Sequence, residues 1–154
     1  TIMHIPVIIG ALLEGPIVGI AVGLIFGLFS MYQNITAPGL TSFIFWNPIV
    51  ALIPRMLIGI VAYYSFKLLK SKIKSTGVCA GIASILATLT NTIGVLGLTY
   101  ILYLDKYAQA REISRDAVAG TLLTVGLTNG IPEAIVSALI TIPIVVTMLK
   151  IKRN

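Results

Sequence analysis

Charged side chains make up only 10% of this 154-residue chain and aromatic ones 8%. Soluble domains carry about 25% charged residues, so a monomer this poor in charge is not expected to be at home in water. Four long apolar stretches hold, away from their ends, only two charged residues, Arg55 and Glu133. The chain has a single Cys and a single His. Cys79 therefore has no partner for an internal disulfide, and neither it nor His4 has neighbours at metal-ligand spacing. No metal site and no resident cofactor are expected. The sequence offers no Ser-His-Asp set, no paired carboxylates and no glycine-rich loop carrying a phosphate-binding Lys, so no catalytic residues are assigned. Polar-apolar alternation is missing from Ile17 to Ser30 and from Ala134 to Leu149, which excludes the strands of a membrane β-barrel.

What is present is apolar: 57% hydrophobic residues and a mean hydropathy of +1.02. This composition describes an all-α integral membrane protein, with residues 1–154 forming one transmembrane domain. The net charge of +6 is not a nucleic-acid signature, because the basic residues flank apolar spans and are not interleaved with aromatics on a polar face. Seven of the eleven Lys and Arg fall in two places: Lys67, Lys70, Lys72 and Lys74 in one connection, and Lys150, Lys152 and Arg153 at the end. The positive-inside rule puts both in the cytoplasm.

Two crossings must separate these clusters, and residues 78–104 and 131–149 supply them. Residues 105–128 then form an outer connection with a short outer or re-entrant helix. Its charges balance: Asp105, Glu112 and Asp116 against Lys106, Arg111 and Arg115. Upstream, the spacing predicts a span over 48–69, an outer loop over 33–47, and a span over 16–32 that starts from a cytoplasmic turn at Glu14-Gly15-Pro16. Thr1 then lies outside. The leading apolar piece, 2–13, is only a partial span: its 12 residues reach about 18 Å as a helix, against a core of about 30 Å. Parity suggests a further helix before Thr1, making six with both ends cytoplasmic.

Gly15, Gly19, Gly23 and Gly27 recur every four residues along one helix stripe. Small residues at this spacing let helices approach closely in lipid, and the stripe is expected to pack inside the bundle or against a membrane partner. Ionisable groups at membrane depth are costly and face an interior, a cavity or each other. Arg55 lies about 10 Å below Pro48 along a helix, and Glu133 lies in the first turn of the last span. The two either pair structurally or face a polar ligand. Asn47 at the head of its span, Asn129 as a helix N-cap and Asn91 in mid-span bring three amides to a similar level. With Trp46, Phe43, Phe45 and Tyr100 they could line a pocket with convergent polar groups. The candidate binding set is Asn47, Asn91, Asn129, Arg55, Trp46, Tyr100 and Glu133, with Gln33, Asn34, Pro38 and Gly39 in a loop that could gate it.

The run His4-Ile5-Pro6-Val7-Ile8-Ile9-Gly10-Ala11, followed by Gly15-Pro16 and Gly23-Leu24-Ile25-Phe26-Gly27-Leu28, resembles the substrate-binding S components of energy-coupling factor (ECF) vitamin transporters. Asn47-Pro48, Pro54-Arg55, Thr90-Asn91-Thr92 and Asn129-Gly130-Ile131-Pro132-Glu133-Ala134 extend the likeness across nearly the whole chain. The resemblance implies a six-helix bundle in a prokaryotic plasma membrane, with a site on the outer side for a B-type vitamin or precursor. It also implies a transmembrane coupling subunit and two cytosolic ATPases as partners. The first helix of such proteins carries a small-residue motif that docks the coupling subunit, and no residue here corresponds to it. Among the vitamins of this branch, Arg55 slightly favours the carboxylate of pantothenate. The competing readings are an autonomous secondary transporter, for which Glu133 is the one acid placed to carry a proton, and a membrane scaffold that binds no solute.

Overall fold

The computed structural model describes residues 3–153, without the side chain of Arg153. The expected outer position of Thr1 and the start of the leading span at Ile2 lie outside the described residues, as does Asn154. The fold is all helical, with no strand among the described residues. Among the described residues six α-helices follow one another: α1 (His4–Glu14), α2 (Pro16–Thr36), α3 (Pro48–Lys70), α4 (Thr76–Arg111), α5 (Val118–Val125) and α6 (Ile131–Arg153).

Local chemistry sets the joints. α1 ends at Gly15, whose φ of 101° is easy for a residue without a Cβ, and Pro16 opens α2 from the first helical position, where its missing N–H costs nothing. Asn47 caps α3, its Oδ1 accepting from the Ile49 amide at 2.9 Å, and Ser75 caps α4 through the Val78 amide. α2, α3, α4, α6 and α1 pack in a ring, each against the next, and α1 closes back on α2. α5 lies against the outer part of α4.

Among the described residues four helical stretches are long and apolar enough to cross a membrane: Pro16–Thr36, Pro48–Lys70, Thr76–Arg111 and Arg115–Lys152. Large apolar side chains such as Ile17, Ile25, Ile93, Ile101 and Leu139 point outward and exposed, as lipid-facing residues do when helices offer hydrocarbon their apolar flank. The chain is a multi-pass membrane protein. Lys152 Nζ donates to Glu14 Oε1 at 2.8 Å and to the Leu13 carbonyl at 2.9 Å. This holds the α1–α2 turn level with the basic end of α6, the face expected in the cytoplasm.

Helices outlast the hydrophobic runs that revealed them. α2 continues to Thr36, so Gln33 and Asn34 are helical and the outer loop starts at 37 instead of 33. α4 continues to Arg111 and bends at Tyr103 (φ −129°, ψ 29°), where an outer connection is expected from 105. Hydropathy marks where hydrocarbon ends; a helix needs no apolar residues once its flanks meet water.

The glycine stripe packs inside the bundle. A Cβ on Gly19 would lie 2.6 Å from the Ala11 Cβ and 3.0 Å from the Gly59 Cα, one on Gly27 would lie 2.6 Å from the Ala51 carbonyl oxygen, and one on Gly23 would collide with that of Arg55. α2 and α3 are thus in backbone contact. Gly15 departs from the expected stripe: nothing lies within 4 Å of a Cβ placed there, and its role is the turn.

Candidate functional site

Two apolar clusters fill the bundle, and the polar residues fall between them. On α3, Val50 belongs to the cluster formed with Ile44, Tyr107, Val118 and Leu122, while Ile58 belongs to the one formed with Val7, Ile8, Phe26 and Ala83. Arg55 lies between, with only 6% of its surface exposed. Its guanidinium carbon is 4.9 Å from the ring centroids of both Phe26 and Phe45. Two aromatic contacts on the cation leave its in-plane N–H groups as its means of recognition. Nε and Nη1 are buried with no hydrogen-bond acceptor among the described residues.

Arg55 lines a cleft of about 150 Å³ together with Asn91, Thr92, Val95, Leu96, Val125, Asn129 and Glu133. Four of the seven expected binding residues, Arg55, Asn91, Asn129 and Glu133, thereby meet from α3, α4, the α5–α6 joint and α6. The Asn91 Oδ1 is also buried, with no donor to accept from among the described residues. Glu133 is half-buried and close enough to Arg55 to act on it electrostatically. Buried polar groups are normally satisfied. A charged donor edge and an amide acceptor left open beside one cleft suit a small solute that carries an anionic group and hydrogen-bonding groups.

The other three expected residues lie elsewhere. The Asn47 amide is engaged twice, capping α3 through Oδ1 and donating from Nδ2 to the Tyr103 hydroxyl at 3.1 Å. Trp46 is half-exposed, and its indole N–H donates to the Asn34 carbonyl at 2.9 Å. Tyr100 lines a separate apolar groove of about 600 Å³ between α4 and α5. Asn129 reaches the cleft, but not as the expected N-cap. The chain passes from α5 into α6 through a wide helical turn, Gly126–Gly130, in which Asn129 donates to the Val125 carbonyl. α6 thus continues a helix already under way and needs no side-chain cap.

Pro38 and Gly39 lie in the outer strap, residues 37–47, where the Gly39 amide donates to Ser42 Oγ at 2.6 Å. Sequence reasoning overlooked Phe26 as the second wall of Arg55. The signal was available, since Phe26 follows Gly23 by three residues and so lies on the glycine face of α2. It also overlooked a polar seam below the cleft: Thr88 one turn below Asn91, and Ser137 and Thr141 one and two turns below Glu133, all buried with hydroxyls that have no partner among the described residues.

Residues 1–145 match the family model described as ECF transporter, substrate-specific component. The pantothenic acid transporter PanT of Lactococcus lactis subsp. cremoris is 29% identical over 168 aligned residues, which cover 100% of this chain and 80% of that protein. The pantothenate transporter PanT of Leuconostoc mesenteroides subsp. mesenteroides is 34% identical over 140 residues, 88% of this chain and 68% of that protein.

Proposed function

This chain belongs to the substrate-specific components of ECF transporters, and we propose that the solute it captures is pantothenate. The observation that carries the reading is that Arg55, which lines the cleft, has two buried donors with no acceptor among the described residues. Pantothenate offers a carboxylate for those donors, an amide N–H or hydroxyl for the Asn91 Oδ1, and further hydroxyls for Glu133 and Asn129. The names of the two relatives support the same solute. At about 150 Å³ the cleft is well below the roughly 300–1,000 Å³ of sites for drug-sized ligands, which favours a small acyclic acid over a multi-ring vitamin.

The chain's part is binding. Solute arrives from outside, the strap closes over it, and partner chains of the family's type, a transmembrane coupling subunit and two cytosolic ATPases, drive its delivery inward. Energy from ATP hydrolysis belongs to those partners. The scaffold reading loses its main support because the glycine stripe is spent inside the bundle.

The first experiment is mass spectrometry of the small molecules released on denaturing the full-length protein from mild detergent, followed by titration with pantothenate and with its alcohol analogue, in which a CH₂OH group replaces the carboxylate. Pantothenate is expected at one per protein, with the alcohol bound roughly 10- to 100-fold more weakly, the worth of one hydrogen bond to a charged group. Equal affinity for the two would remove Arg55 from carboxylate recognition, and failure to bind pantothenate at all would end the proposal. Asn91→Ala should weaken binding roughly 2- to 10-fold through loss of one neutral hydrogen bond and leave the melting temperature nearly unchanged. Unchanged affinity in a folded variant would take Asn91 out of the site.

A further inference from the structure

We propose that Tyr103 is the latch of the outer strap and sets how fast solute exchanges with the cleft, an inference that rests on reading the cleft as the solute site. Tyr103 is the residue at which α4 leaves helical geometry. At that bend its hydroxyl accepts from Asn47 Nδ2 at 3.1 Å, and its ring meets Phe43 edge-on at 5.6 Å. Asn47 is at the same time the cap of α3. A single amide therefore ties the end of the strap to the start of α3 and to the bend of α4. Two residues before it, Phe45 covers Arg55. The strap's other tie, from the Trp46 indole to the Asn34 carbonyl, runs to α2.

Nε and Nη1 of Arg55 are buried, so a solute reaches them only when the strap that carries Phe45 swings out, and with it the amide that Tyr103 holds; Phe45 returns over the guanidinium once the solute is seated. Tyr103 does not line the cleft. The latch is closed in the structure, and we take this closed arrangement to be the resting one both before solute enters and after it is bound. It then stabilises both resting states and is absent only in the open one. Weakening it raises the association and dissociation rates together and leaves the equilibrium affinity in place. A residue that touched solute would change the affinity instead.

The test uses the full-length protein in lipid nanodiscs and two variants. Tyr103→Phe keeps the ring against Phe43 and removes the hydroxyl. Asn47→Ser keeps a cap for α3 but is too short to reach Tyr103. Trp46 is the chain's single tryptophan and lies on the strap, so acrylamide quenching of its fluorescence reports strap opening with no ligand present. Both variants are expected to raise the quenching constant, and to raise the rates of pantothenate association and dissociation by roughly 2- to 10-fold each, the worth of one hydrogen bond, with Kd moving by less than about twofold. Unchanged quenching and rates in both variants would overturn the proposal, as would an effect confined to Kd. If the parent protein binds no pantothenate, the solute assignment fails and the quenching comparison alone decides the latch.

Discussion

Replacing Arg55 with Gln should reduce pantothenate affinity by at least about a hundredfold while the bundle stays folded. Two buried donors, Nε and Nη1, have no acceptor among the described residues, and each hydrogen bond from a charged group to a ligand is worth about 1.5–3 kcal/mol. Losing both costs roughly 3–6 kcal/mol, or two to four orders of magnitude. If Arg55 serves only as a structural partner of Glu133, the outcome inverts. Breaking a buried pair is strongly destabilising, so the melting temperature would fall, and whatever protein remained folded would bind normally. Titration calorimetry beside thermal unfolding separates the two. Arg55→Lys sharpens the test. It keeps the charge but loses the planar fork that sits between Phe26 and Phe45, so it should recover only a minor part of the lost affinity.

The cleft was partly legible because the membrane makes polar residues conspicuous. Arg55 and Glu133 stood alone in apolar spans, and Asn91 and Asn129 were the amides nearest their level. Depth along a helix follows from counting residues, and that is what these four share. Facing does not follow so easily. Tyr100 lies nine residues beyond Asn91, which at about 3.6 residues per turn is two and a half turns. It therefore looks away from the cleft and lines the groove toward α5. Asn47 stands at the right height, yet its amide is already committed to the α3 cap and to Tyr103. The cap could be read from Asn47 standing before Pro48 at the head of the span, but the bond to Tyr103 could not, because Tyr103 turns toward the strap through a bend in α4 that no proline or glycine at that position announces. The ends of α2 and α4 stayed hidden for another reason. Their last turns carry Gln33, Asn34, Lys106 and Arg111, polar residues that a helix accepts once it has left hydrocarbon.

The second large effect is expected at a residue that touches no solute. A Cβ on Gly23 would meet the carbonyl oxygen of Arg55 and come within 3.1 Å of the Met56 Cα. Both belong to helical backbone, which cannot swing aside as the end of a side chain does. Gly23→Ala must therefore push α2 away from α3 where α3 carries Arg55 and where α2, three residues on, carries Phe26. Overpacking of this kind costs about 1–3 kcal/mol. Here it should also open the aromatic enclosure of Arg55, so the melting temperature and the pantothenate affinity should fall together. Two other glycines isolate the cause. Gly10→Ala meets only the Val18 and Val22 side chains, at 3.5 and 3.7 Å. It gains helix propensity of up to about 1 kcal/mol, so it should be neutral or stabilising. Gly19→Ala crowds Ala11 and Gly59, one turn from Gly23 and away from Arg55. It should lower the melting temperature and leave the affinity of the folded protein near that of the parent. A Gly23→Ala protein with parental stability and affinity would show that the α2–α3 backbone contact does not hold Arg55 in place. A loss of affinity shared equally by Gly19→Ala would show that the site depends on bundle stability as a whole and not on the Gly23 contact.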